Sequence, residues 1–312
     1  MRGNLLIIGG SEARTGDMPV LTRFVELAGG SGAPIVVFTA ASDIADEVWG
    51  QYQAAFSQLG ATNITHVHMD SPKEGSSEKV LAPMRAASGI FITGGAQKRL
   101  MAMLRGTAVL KEIREAYRER GGCVAGTSAG ASAMSQLMLA EGSSEIAPEK
   151  GAVELESGMG LAPHILVDQH FAQRARLPRL LSVIAEHPEM YGIGIDEDTA
   201  LLIAGGETVE VIGEGSVTVV DGRYMLSNIA EIDKHDSPSL IDVRLHILPS
   251  GTIFRGGAVD GPELAPAPVR DVFDALIEPD SSDGTVPLRE SGAPPAGVQT
   301  GQKTSRPLAD MH

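Results

Sequence analysis

The chain has 312 residues, with 25 Lys and Arg against 40 Asp and Glu and a formal net charge of −15. Such an acidic chain repels polyanions, which excludes nonspecific nucleic-acid binding. No apolar run is long enough to span a bilayer, and Met1–Gly10 lacks the basic start and cleavage site of a signal peptide, so a cytoplasmic protein with no membrane partner is expected.

Short apolar strands alternate with helices along the first two thirds. Asn4–Ile8 reads as a strand ending in Gly9-Gly10-Ser11, and Pro19–Ala28 as a helix closed by Gly29-Gly30. Ile35–Thr39 repeats the strand signal, and Ser42 can cap a helix running to about Leu59. Ile64–Met69 is a third strand; its His66 and His68 lack an acidic or cysteine partner at ligand spacing, so no metal is expected. Ser77–Ala87 is helical despite Pro83, and Gly89–Thr93 is a strand that breaks at Gly94-Gly95-Ala96-Gln97. Thr107 caps a helix with a mixed-charge face, Ala108–Arg120. The strand Cys123–Ala125 follows, holding the only cysteine, which rules out an intrachain disulfide. It enters the turn Gly126-Thr127-Ser128-Ala129-Gly130, after which Ala131–Leu139 is helix-compatible.

Gly142–Gly160 then loosens into a surface loop carrying Glu145, Glu149, Glu154 and Glu156. Ile165–Val167 is a strand leading into Asp168-Gln169-His170-Phe171, Pro178 opens a helix to about Glu186, and Gly192–Ile195 is a strand that runs into Asp196-Glu197-Asp198. From Thr208 to Arg255 the period switches to two, which predicts antiparallel strands at Val209–Ile212, Val217–Val220 and Val243–Leu248. The expected fold is α/β, a mostly parallel sheet with helices on both faces and antiparallel strands at its C-terminal part. Residues 1–256 form the expected catalytic domain, and 257–312 a Pro/Gly-rich flexible tail in which Val269–Ile277 can dock as a short helix. The first strand lacks a G-x-G-x-x-G exit, which disfavours a dinucleotide cofactor.

Chemistry concentrates at Ser128. The G-x-S-x-G spacing forces a serine onto a tight strand-to-helix turn that projects its hydroxyl into a cleft, and the unpaired N–H groups of the following helix favour an oxyanion beside it. A serine nucleophile needs a base. His170, just past a strand and next to Phe171, is favoured over the other seven histidines, with His164 as competitor. Glu197 leaves a strand at its carboxyl end and is the leading acid, with Asp196 and Asp198 as alternatives. The order Ser, His, acid differs from that of the α/β-hydrolases. Arg174, Arg176 and Arg179 can either clamp substrate carboxylates or pair with the protein's own acids.

These stretches together resemble the cyanophycinases, serine exopeptidases related to the aspartyl dipeptidase E family. The matching elements are IIGGSEA (Ile7–Ala13), FITGGAQ (Phe91–Gln97), GTSAGAS (Gly126–Ser132), the DQHF-to-arginine run (Asp168–Leu180) and GIGIDEDTA (Gly192–Ala200), in order across residues 4–200. The resemblance implies a flavodoxin-like or class I glutaminase-like fold and a homodimer. It also implies Ser128, His170 and Glu197 as nucleophile, base and third member, and Gln97, Asp168, Gln169, Arg174, Arg176 and Arg179 as the substrate pocket. The implied substrate is cyanophycin, a polyaspartate bearing arginine on each β-carboxyl, cut to β-Asp-Arg through an acyl-enzyme. Ala129 and Gly95 N–H groups would hold the oxyanion, with no cofactor. Rival readings are an aspartyl or isoaspartyl dipeptidase with the same serine, and a noncatalytic carboxylate-binding protein.

Overall fold

The first strand, Asn-Leu-Leu-Ile-Ile, is apolar on both faces because both faces are covered. Leu6 and Ile8 join Leu21, Phe24, Tyr52 and Phe56 in one core, while Leu5 and Ile7 join Met84, Leu100 and Ile113 in another. The computed structural model describes residues 2–142, 146–255, 258–260 and 267–277. In chain order its first part comprises β1 (Asn4–Ile8), α1 (Pro19–Leu27), β2 (Ile35–Phe38), α2 (Ala45–Gln58), β3 (Ile64–Val67), a 3-10 turn at Pro72–Ser76, α3 (Glu78–Ala86), β4 (Gly89–Ile92), α4 (Gln97–Leu104), α5 (Ala108–Arg118) and β5 (Cys123–Thr127).

Then come α6 (Ala129–Ser132), β6 (Leu137–Gly142), β7 (Val153–Ser157), β8 (Ile165–Gln169), α7 (Leu177–Glu186), β9 (Tyr191–Ile195), β10 (Thr199–Ala204), β11 (Thr208–Gly213) and β12 (Ser216–Asp221). The short pair β13 (Leu226–Ser227) and β14 (Leu240–Ile241) precedes β15 (Arg244–Pro249), β16 (Ile253–Arg255), β17 (Ala258–Asp260) and α8 (Ala267–Ile277).

The main sheet has nine strands in the order β17-β16-β11-β10-β1-β5-β4-β2-β3. From β1 to β3 neighbours run parallel, as the alternation predicts, and from β1 to β17 they run antiparallel. The mixed α/β class is the expected one, but the strands do not all lie in one sheet. β15, β12, β9 and β8 form a second, four-stranded sheet in which only β8 and β9 are parallel. The chain crosses from this second sheet into the main one through Asp196-Glu197-Asp198, between β9 and β10. β10 itself follows that acidic turn too closely for periodicity to separate it from β9. It is nevertheless central, pairing Ile8 with Ala200 and Asn4 with Ala204.

Two local expectations are corrected. The helix expected over Ala131–Leu139 is only the single turn α6, because the chain reverses after Ser132 and Leu137–Gly142 is extended. Much of the expected Gly142–Gly160 loop is instead strand: β7 pairs with β6 in a bulged hairpin, Leu137 opposite Ser157 and Gly142 opposite Val153. Its acids are engaged by neighbouring side chains, Glu154 by Lys98, Glu156 by Arg105 and Glu149 by a hydrogen bond with His235; Glu145 lies outside the described residues. A further helix, α4, not expected from the sequence, begins at Gln97, at the end of the stretch where the strand breaks.

The stretch expected as a tail contributes structure at its start. β17 extends the main sheet beyond β16, and α8 packs Val272, Phe273 and Leu276 into the core, with the Phe273 ring stacked on Phe254 at 3.5 Å between centroids. Residues 261–266 and 278–312 of that expected tail lie outside the described residues. Among the described residues no helix is long and apolar enough to cross a membrane. Because a large buried ring is lost without a replacement, Phe273→Ala should destabilise the fold by about 3–5 kcal/mol in a denaturant titration; a value near zero would mean that α8 is not part of the cooperative unit.

Candidate active site

The carboxyl ends of four strands meet at one place: β1 and β5 from the main sheet, β8 and β9 from the second. β5 ends at Thr127, and Ser128 sits immediately beyond it at φ 53° and ψ −110°, a left-handed conformation rare for a side-chain-bearing residue. The two glycines of G-x-S-x-G are steric necessities. A Cβ on Gly126 would lie 2.6 Å from the Gly130 carbonyl oxygen, and one on Gly130 would lie 2.5 Å from that of Ile92. The Ser128 N–H donates to the Ile8 carbonyl at 3.1 Å, which ties the turn to the end of β1.

His170 follows β8 and is also left-handed, at φ 49°. Its N–H donates to the Gly9 carbonyl at 2.7 Å, and its ring lies over Gly10 so closely that a Cβ there would stand 2.4 Å from Cε1. Gly10 is thus the floor on which the imidazole rests. His170 Nε2 is 3.0 Å from Ser128 Oγ, and Nδ1 is 2.5 Å from Glu197 Oε1. The three side chains form a continuous relay, with the carboxylate placed to hold the Nδ1 proton and leave Nε2 free to accept from the serine.

The three neighbouring acids have different duties. Asp196 accepts from the Ala172 N–H at 3.1 Å and from the Ser216 N–H and hydroxyl at 3.0 and 2.9 Å. Asp198 accepts from the Ala13 N–H at 2.9 Å, while its own N–H donates to the Gly10 carbonyl at 2.9 Å. Glu197 alone faces His170, and its N–H is held by Gln173 Oε1 at 3.0 Å. His164 uses its carbonyl to accept from the Tyr191 N–H, a ladder role away from the relay.

Burial pushes the His170 pKa below the ordinary 6.5; the Glu197 hydrogen bond and charge oppose this, and the positive charges of Arg174 and Arg176 reinforce it. The ring is therefore neutral at pH 7, the form a general base requires. Burial pushes the thiol of Cys123 up, so the cysteine inside β5 is unsuited to be the nucleophile.

Next to Ser128, a Cβ built on Gly94 would lie 3.7 Å from Oγ, so the Gly94-Gly95 segment flanks the hydroxyl. Ala129 opens α6, and among the described residues neither its N–H nor that of Gly95 is engaged in a backbone hydrogen bond. With α6 reduced to one turn, the helix dipole contributes less than the sequence suggested, and the donor capacity rests on individual N–H groups.

The arginines divide. Asp168 is fully buried and receives Arg179 Nε at 2.9 Å, a second bond from Arg179 Nη2, and Arg176 Nη1 at 3.1 Å. Arg176 also donates to the Gln169 carbonyl, and Arg179 to the Gly142 carbonyl at 2.9 Å. The internal ion pairing left open for these residues therefore holds for Arg176 and Arg179, because a buried carboxylate requires cationic partners. Arg174 is exposed, and its side chain makes no hydrogen bond or ion pair among the described residues. Gln97 is half-buried and donates to the Leu139 and Ala140 carbonyls at 3.3 and 2.8 Å, joining α4 to the hairpin. Gln169 is buried, with Oε1 unpartnered among the described residues. His66 and His68 share the Thr39 hydroxyl at 2.8 and 3.0 Å.

Sequence reading missed the role of the β1 exit. Gly10 seats the His170 imidazole, and the buried Glu12 accepts from Thr127 Oγ1 at 2.5 Å, directly before Ser128. The available signal was an acid inside the otherwise apolar and small-residue stretch IIGGSEA.

Two outcomes follow from this geometry. Gly10→Ala should fold but lose activity by at least ~100-fold, since the added methyl displaces the imidazole by about an ångström or more; retention of wild-type turnover would mean that the observed ring position is not the working one. The acid limb of kcat/KM should fall below pH 6.5, and Arg174→Gln, by removing a cation that disfavours imidazolium, should move that limb upward, as read from a pH–rate profile.

A family model, peptidase family S51, matches residues 5–211. The chain is similar to the cyanophycinase of Synechococcus elongatus, 38% identical over 254 residues that make up 81% of this chain and 79% of the relative. It is likewise similar to the cyanophycinase of Geminocystis herdmanii, 37% identical over 252 residues, 80% of this chain and 93% of the relative. The crystal structure of a peptidase from an acI-B1 Actinobacterium covers 82% of this chain and 97% of its own with a TM-score of 0.59 at 20% identity, a likeness of fold. On the match over residues 5–211 and identities near 38%, the chain belongs to peptidase family S51 and is a serine-type peptidase.

Proposed function

We propose that this chain is a cyanophycin-degrading exopeptidase that releases β-Asp-Arg dipeptides. The observation that carries the chemistry is the relay Ser128 Oγ, His170 Nε2, His170 Nδ1, Glu197 Oε1, with contacts of 3.0 and 2.5 Å. The substrate class comes from the relatives named cyanophycinase, which align over four fifths of this chain. In this reading His170 takes the hydroxyl proton as Ser128 attacks an aspartyl carbonyl, and Glu197 steadies the imidazolium that results. The N–H groups of Ala129 and Gly95 receive the oxyanion. His170 then returns the proton to the leaving amine, and water, deprotonated by the same ring, hydrolyses the acyl-enzyme.

For substrate binding, the reading assigns the uncommitted guanidinium of Arg174 to a substrate carboxylate and the unpartnered amide oxygen of buried Gln169 to a substrate donor. Asp168, Arg176, Arg179 and Gln97 serve the same pocket by holding its wall, since their side chains are bonded to one another or to the hairpin carbonyls. Cytoplasmic action and a homodimeric state complete the reading on the strength of the resemblance.

The test is incubation with insoluble cyanophycin, followed by mass analysis of the soluble products, beside an assay on a free Asp-X dipeptide. β-Asp-Arg from the polymer is the expected result, and hydrolysis of the dipeptide alone would favour the aspartyl dipeptidase alternative. Ser128→Ala should fold normally and lose turnover by at least ~10⁴-fold. Wild-type labelling of Ser128 by a serine-directed phosphonate, absent in that variant, would exclude a noncatalytic binding role.

A further inference from the structure

Glu12 lies in the loop that leaves β1, and its side chain is fully buried beneath the Ser128 turn. A carboxyl group in such a place is costly unless each oxygen is bonded. Here Oε1 accepts from the Tyr52 hydroxyl and Oε2 from the Thr127 hydroxyl, and the Arg14 guanidinium stands over the Tyr52 ring with Nε 3.7 Å from Oε1. Burial, reinforced by the charge of Glu12, pushes the Tyr52 phenol well above its ordinary value, so it remains a donor. Thr127 is the residue immediately before the nucleophile and is itself buried.

We infer that Glu12 is a positioning residue for the nucleophile: by holding the Thr127 hydroxyl from below, it keeps the adjacent Ser128 backbone in its left-handed conformation and its Oγ within reach of His170. This rests on Ser128 being the nucleophile, as proposed above. The physical need is specific. Ser128 occupies φ 53° and ψ −110°, which a serine abandons unless its neighbours over-determine it. Its carbonyl accepts from the Ser132 N–H at 3.1 Å inside the turn, and on the strand side its N–H has one bond, to Ile8. The Glu12–Thr127 bond adds a second anchor one residue away, from a loop that also fixes the other catalytic parts. Gly9 binds the His170 N–H, Gly10 binds the Asp198 N–H next to Glu197, and the Ala13 N–H binds the Asp198 side chain. Glu12 is the member of that loop that reaches Thr127, next to the serine, so one five-residue segment, Gly9 to Ala13, sets the positions of all three relay members relative to each other.

The two oxygens of Glu12 separate function from stability. The Thr127 bond faces the nucleophile; the Tyr52 bond faces the aromatic cluster of Phe56 and Phe91, whose ring centroids lie 6.1 and 4.8 Å from that of Tyr52. Loss of the first should therefore slow chemistry, and loss of the second should lower stability alone.

The experiment compares Glu12→Gln, Thr127→Val, Thr127→Ser, the Glu12→Gln/Thr127→Val double variant and Tyr52→Phe. Each is measured for kcat and KM on cyanophycin, rate of phosphonate labelling at Ser128, and thermal midpoint. Expected are a ~10- to 100-fold fall in kcat and in labelling rate for Glu12→Gln and Thr127→Val with KM unchanged. The double variant should be no slower than the slower single one, since both changes remove the same bond. Thr127→Ser, which keeps the hydroxyl, should recover the wild-type rate, and Tyr52→Phe should lower the midpoint while leaving kcat unchanged. Wild-type kcat and labelling in folded Glu12→Gln would overturn the inference, as would a kcat loss in Tyr52→Phe equal to that in Glu12→Gln. If Glu12→Gln does not fold, the Thr127 pair decides: equal rates for Thr127→Val and Thr127→Ser overturn it. Full activity in Ser128→Ala would instead sink the underlying assignment of the nucleophile, a separate and distinguishable failure.

Discussion

The site depends on the backbone contacts at the exit of β1, foremost the 2.7 Å hydrogen bond from the His170 N–H to the Gly9 carbonyl. Ser128 belongs to the main sheet and His170 and Glu197 to the second, and those two sheets share no strand pairing. Serine chemistry needs its base within hydrogen-bond reach to a few tenths of an ångström, so something rigid must fix one sheet against the other. The exit of β1 supplies it. Gly9 and Gly10 have no side chains to keep the second sheet away, their carbonyls receive N–H groups from it, and the Gly9 N–H itself donates to the Thr199 carbonyl at 2.9 Å. Much else in the architecture serves to hold β1 in place, between β5 on one side and β10 on the other.

The electrostatics follow from the same crowding. Asp168 is buried in β8, two residues before His170, and two arginines neutralise it. Arg179 also reaches from α7 to the end of β6, so the ion pair secures the hairpin through the Gly142 carbonyl. The segment following His170 is consequently braced from inside, while Arg174 remains directed to neither and lends its charge to the imidazole. In a chain with a net charge of −15, Arg174 is thus a guanidinium without an ion pair among the described residues, placed where its charge acts on the His170 imidazole.

Much of this was legible in the sequence because local chemistry dictated it. The parallel strands β1 to β5 announce themselves as short apolar runs bounded by glycines, and G-x-S-x-G marks Ser128 because no other spacing relieves the approach of Gly130 to Ile92. His170 and Glu197 stand out by their places after strands, though the sequence leaves His164, Asp196 and Asp198 open, and only the geometry sets Glu197 alone against His170. What stayed hidden depends on tertiary context. Nothing in Ile165–Gln169 says that it pairs only with β9, in a separate sheet, and the apolar run of β10 is indistinguishable from a continuation of β9. Leu137–Gly142 has helix-compatible residues but finds a strand partner in Val153–Ser157, and pairing outweighs propensity. Likewise three arginines in one short span look alike, and only burial of Asp168 separates two of them from the third.

The place of β1 also governs when this peptidase can first act. The amino-terminal strand is inserted between two partners that are made much later, and the second of them, Thr199–Ala204, follows the last relay member. A nascent chain emerging from the ribosome therefore has no competent serine until nearly two thirds of it has been synthesised, because neither the seat of the imidazole nor the carboxylate that orients it exists before then. Latency during biosynthesis is thus a consequence of strand order itself.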